Sequence, residues 1–163
     1  MLKDINYPEL QQSPQQVGEL QLSLGSEWAD IFAVTGTTEQ AKSAEITLRN
    51  PLVYLNDVRL SQLPEEIQDK WANLLILGEE VVKAAGTEDK KWSRSSSSLE
   101  KLQSLMFTGN INPEHRISIA NVIREASKVF SESVAINPGN TRYYSGNVIG
   151  MQGWINRYRQ PTE

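Results

Sequence analysis

Three times along this chain a hydroxyl residue is followed, three places later, by Gln or Glu: Ser13 and Gln16, Thr37 and Gln40, Ser97 and Glu100. That spacing closes a capping box, in which each side chain satisfies a backbone N–H that the first helical turn leaves without a partner. Pro14 strengthens the first, because proline at the opening position gives up an N–H that would be orphaned anyway. Asn112-Pro113-Glu114 repeats the cap-and-proline pattern. A chain punctuated in this way is built of helices. After the first cap, Val17, Leu20, Leu24, Trp28, Ile31 and Phe32 recur at helical spacing, with Gly36 as a stop. The alternation of Leu20, Leu22 and Leu24 also fits a strand, and Gly18 and Gly25 weaken a helix. Residues 17–25 therefore stay open between the two, with helix favoured by the longer repeat.

Ala41, Ala44 and Leu48 share one face after the second cap. Asn50-Pro51 is expected to break that helix, since the residue before proline avoids helical backbone angles. Leu52-Val53-Tyr54-Leu55 would then be a short strand or the start of a new helix, which puts any strand near 46–55. The clearest stripe runs from Pro64 to Ala85: Ile67, Trp71, Leu74, Leu75, Gly78, Val81, Val82 and Ala85. Glu65 and Glu66 favour its N-terminal dipole, and Glu66–Lys70 and Glu79–Lys83 are i,i+4 pairs. Ile76 and Leu77 are apolar off the stripe, which predicts a central helix touching partners on two sides. Gly86 ends it.

Residues 87–98 read as a polar linker. Leu99, Leu102, Leu105 and Met106 follow the third cap, with Gly109 as the stop. The helix opened by Asn112-Pro113 turns Ile119, Val122, Ile123, Ala126, Val129 and Phe130 inward. Asn137-Pro138-Gly139-Asn140 is a turn. A last helix, from about Ser145 to Arg159, carries Val148, Met151, Ile155 and Tyr158 at helical spacing. Its three glycines, Gly146, Gly150 and Gly153, predict either a close helix approach or irregular backbone. The expected fold is all-α: a single-domain bundle of five to seven helices over residues 1–163. A chain of 163 residues is long enough to bury roughly 70% of its unfolded surface without disulfides or zinc.

The absence of cysteine rules out thiol catalysis, thiolate metal sites and iron–sulfur clusters. With no long apolar run at the N-terminus or elsewhere, a cytoplasmic protein without a membrane segment is expected. The net charge of −4 conceals an asymmetry. Residues 1–89 hold six Lys and Arg against fifteen Asp and Glu, a net of −9; residues 90–163 hold ten against five, a net of +5. Such a division marks a basic, polyanion-facing part joined to an acidic one.

Catalytic signals are thin. His115 is the only histidine, so any Ser-His-Asp arrangement must use it, and its place in a first helical turn beside Glu114 suits a cap or a surface residue. The acidic pairs Glu65/Glu66 and Glu79/Glu80 read as solvated helix faces rather than a magnesium site. The C-terminal glycines have neither the spacing nor the preceding strand of a phosphate loop. No enzyme activity, cofactor or metal is expected. In the basic part, by contrast, cations and aromatics interleave: Lys90, Lys91, Trp92 and Arg94; then Arg142, Tyr143 and Tyr144; then Trp154, Arg157, Tyr158 and Arg159. Cations neutralise phosphates, and flat side chains stack on unpaired bases. Arg116, Arg124 and Lys128 fall on one i,i+4 row, read as lying opposite the apolar stripe and able to track a phosphate backbone.

In size, all-helical layout and lack of catalytic residues the chain resembles the small subunits of CRISPR effector complexes. No motif carries the resemblance, so no residue transfers. It implies a subunit that stacks in a larger antiviral assembly and contacts nucleic-acid backbone. The expected partners are other protein subunits and RNA or single-stranded DNA. A bacteriophage structural or packaging protein fits the same layout. So does a helical protein–protein adaptor that never touches nucleic acid, docking through the helix around Leu74–Leu77 and the C-terminal glycine face.

Overall fold

The computed structural model describes residues 12–85, 96–109 and 111–159. Among them stand seven α-helices and no strand: α1 (Pro14–Thr35), α2 (Thr38–Ala44), α3 (Ile46–Asp57), α4 (Glu65–Ala84), α5 (Ser98–Thr108), α6 (Arg116–Ile136) and α7 (Thr141–Arg159). Short 3-10 turns cover Leu60–Gln62 and Pro113–His115. The capping boxes at Ser13–Gln16 and Thr37–Gln40 form in full, and Ser97 Oγ accepts the Glu100 N–H at 3.2 Å. Gly109 closes α5 in the left-handed conformation, at φ 74°. Residues 17–25 are helix, and Leu22 of the competing alternation is exposed. Residues 96–98 are the cap and start of α5 rather than linker; Gly86 and residues 87–95 lie outside the described residues.

Pro51 does not end a helix. It lies inside α3, so 46–55 is neither broken nor a strand. A proline there has no N–H to give to the carbonyl four residues back, that of Thr47. Gln21, on α1, supplies the missing donor: its Nε2 reaches Thr47 O at 3.1 Å. The same amide nitrogen lies 3.3 Å from Ser127 Oγ on α6, and Gln21 Oε1 accepts from Asn50 Nδ2 at 2.8 Å. Asn147 Nδ2 on α7 then donates to Asn50 Oδ1 at 2.6 Å. Gln21, Thr47, Asn50 and Ser127 are fully buried. One polar network therefore joins α1, α3, α6 and α7 and satisfies the group that proline orphaned.

α1 and α6 form the spine. A Cβ added to Gly25 would lie 2.6 Å from Ser127 Cβ, and one added to Gly18 would lie 2.9 Å from the Ser131 carbonyl oxygen. The two glycines that weaken α1 as an isolated helix thus allow α6 to approach it closely. The C-terminal glycines do not play that part: Gly146 and Gly153 face open space, and only Gly150 meets a neighbour, Ile46. α6 packs against α1, α3 and α4 and is the central helix, a role the stripe of α4 had suggested for that helix. Ile76 of α4 is 58% exposed, whereas Leu77 is partly buried.

An aromatic cluster locks one end. Tyr54 stacks on Trp71 at 5.9 Å and meets Phe130 edge-on at 5.6 Å; Phe130 meets Tyr144 at 5.1 Å. Asp57 Oδ2 accepts from the Asn140 N–H at 2.6 Å and the Tyr144 hydroxyl at 3.1 Å, which fixes the turn before α7. With that anchor α7 begins at Thr141, a turn earlier than the apolar spacing indicates. One apolar cluster draws side chains from all seven helices.

Candidate functional site

Among the described residues, the basic side chains of the second half do not form one surface. Arg124 pairs with Asp30 of α1 at 3.0 Å, and Arg159 pairs with Glu27 of α1. Two further inter-helix pairs, Lys70–Glu132 at 2.6 Å and Lys101–Glu79 at 3.9 Å, also join the acidic part of the chain to the basic part. Folding interleaves the two charge blocks instead of setting them on opposite ends. Lys90, Lys91, Trp92 and Arg94 lie outside the described residues.

The row Arg116, Arg124, Lys128 is not opposite the apolar stripe. Successive i,i+4 positions drift by about 40° around a helix, so three steps turn through about 120°. Arg116 therefore lies in a cleft with Phe32, Gly36 and Pro113, Ala120 is buried at 1% exposure, Arg124 meets α1, and only Lys128 points outward. Lys128 borders a shallow groove between α4 and α6 that also holds Lys70, Glu125 and Glu132, so its surroundings have mixed sign.

α7 is different. It contains three arginines and no acidic residue. At about 100° per residue, Arg142, Tyr143, Gly146, Gly150, Gly153, Trp154 and Arg157 fall within one face about 120° wide. That face is the side turned from the core, since Tyr144, Val148, Met151 and Ile155 are the buried positions. Tyr143 and Trp154 are 37% and 38% exposed, and the Arg157 guanidinium lies 5.1 Å from the centre of the Trp154 ring. Arg142 and Arg157 stand about 22 Å apart along the axis. Tyr158 takes the opposite role: partly buried, it packs edge-on against Trp28 at 5.8 Å. Gly146 and Gly153, which face open space, open the strip between Arg142 and Arg157; the i,i+4 and i,i+3 spacing of the three glycines is what puts them on that face.

A second feature borders that face. Gln12, Leu20 and Leu24 on one side and Val148, Ile149, Gln152, Gly153 and Asn156 of α7 on the other line a groove of about 410 Å³. Among the described residues no group of three or more His, Asp or Glu converges as a metal site. No helix among them is long and apolar enough to cross a membrane. The chain matches no protein-family model, no curated protein and no solved structure. Fold and site thus define an all-α helical bundle with an acid-free, arginine- and aromatic-bearing outer helix.

Proposed function

We propose that this chain is a non-enzymatic helical subunit of a larger assembly and contacts nucleic-acid backbone through the outer face of α7. The observation that carries the reading is the composition of that face: Arg142, Tyr143, Trp154 and Arg157 share it, and α7 has no acid to neutralise them. Arginine gives a phosphate a bidentate donor, exposed rings offer stacking surfaces, and glycine lets a backbone come close. Arg124 and Arg159, already paired with α1, contribute much less. The layout resembling a CRISPR small subunit belongs to this proposal, as does the phage structural alternative.

The test is anisotropy with a labelled single-stranded RNA at low salt. R142E/R157E should abolish binding, while R124E/K128E should leave most of it. Loss in the α6 pair alone would place the contact on α6 and overturn the α7 reading; no binding by the wild type would overturn nucleic-acid contact and favour the adaptor.

A further inference from the structure

We infer that the groove between α1 and α7 receives an unpaired base of the strand whose backbone lies on α7, an inference that rests on the function proposed above. The floor is apolar, made by Leu20, Leu24 and Val148, and suits the faces of a flat ring. The rim is made of amides and carries no charge. Gln152 Nε2 donates to Asn156 Oδ1 at 2.8 Å, which leaves Gln152 Oε1 as an acceptor and Asn156 Nδ2 as a donor on two neighbouring lining residues. An adjacent donor and acceptor is the pattern that base edges complement. A volume of about 410 Å³ falls within the range of about 300–1,000 Å³ typical of small-ligand pockets.

The occupant follows from what surrounds the groove. Gly153 belongs both to its wall and to the cationic face, so a strand held by Arg142 and Arg157 passes its mouth. One turn beyond Leu24 and Asn156, Glu27 is paired with Arg159. A polyanion carrying uncharged rings matches both features together, whereas a protein segment gives no reason for the adjoining acid-free face.

Gly153→Leu is the discriminating variant. A Cβ at Gly153 meets nothing within 4 Å, so the variant folds, and its side chain occupies the groove mouth. Affinity is measured for an oligouridine or oligoadenosine strand and for an abasic strand of equal length and charge. G153L should weaken the base-bearing strand about tenfold more than the abasic strand, the worth of one stacked base, since any effect of the leucine on backbone approach acts on both strands alike. Q152A/N156A should weaken the base-bearing strand in the same direction. A G153L protein that binds the base-bearing strand like the wild type overturns the groove proposal alone; that result would also be obtained if a partner protein fills the groove. A wild type that binds neither strand overturns both this proposal and the function on which it rests.

Discussion

Gln21 occupies a fully buried position in α1, and its amide makes sense only through its partners. It donates toward Thr47 O, lies beside Ser127 Oγ and accepts from Asn50, so truncation leaves several buried groups unpaired. Gln21→Ala should therefore cost about 2–5 kcal/mol, the sum expected for two orphaned buried groups, read from urea unfolding. Pro51→Ala returns an N–H four residues after Thr47 and should recover part of that loss. In a double-mutant cycle P51A should be more favourable in the Q21A background than in the wild type. Additivity of the two changes would mean that Gln21 does not stand in for the missing donor. At this scale the caps were legible because their signal is local: Ser13, Thr37 and Ser97 each act within one turn. Pro51 was misread because what rescues it comes from a residue thirty positions earlier, which no local rule contains.

Glycines on two helices have opposite surroundings. Gly18 and Gly25 of α1 press on α6, while Gly146 and Gly153 of α7 face open space. Alanine at 146 or 153 should stabilise by up to about 1 kcal/mol through helix propensity. Alanine at 25 should destabilise by about 1–3 kcal/mol, because Ser127 and the α6 backbone must yield. Thermal denaturation of the four single variants should split by helix in the sign of the change; four changes of one sign would contradict the packing described for α1. The candidate site was half legible for a related reason. The cations and aromatics of α7 are visible in sequence. The i,i+4 row on α6 was not interpretable without knowing that α1 covers Ala120 and supplies Asp30. Helical periodicity says which residues share a face but not which helix lies against it.

Two buried phenols set how the whole molecule responds to base. Burial, and then the charge of Asp57, push the Tyr54 and Tyr144 hydroxyls well above the ordinary tyrosine value. Above about pH 10 the unfolded chain releases these protons while the folded chain holds them, so stability is intact below that pH and falls as pH rises beyond it. Melting temperature should drop steeply from about pH 10 upward, and less steeply in Y54F and Y144F. Equal slopes in wild type and variants would place the alkaline sensitivity elsewhere. Salt should act weakly on stability, since the inter-helix pairs are exposed or partly so and such pairs are screened by solvent.

The charge division of −9 and +5 along the chain is legible in sequence, but its meaning is decided only in three dimensions. Asp30 and Glu27 neutralise Arg124 and Arg159, and among the described residues the acid-free cationic helix is α7. The most direct measurement of the proposed role is the salt dependence of single-strand binding. For single strands the slope of log K against log salt is about −0.7 per phosphate neutralised. Replacing Arg142 and Arg157 together by alanine should make the slope shallower by about 1.4. The same replacement at Arg124 and Arg159 should change it by much less. A slope unaffected by the α7 pair, or lost with the α1-paired arginines instead, would contradict the account.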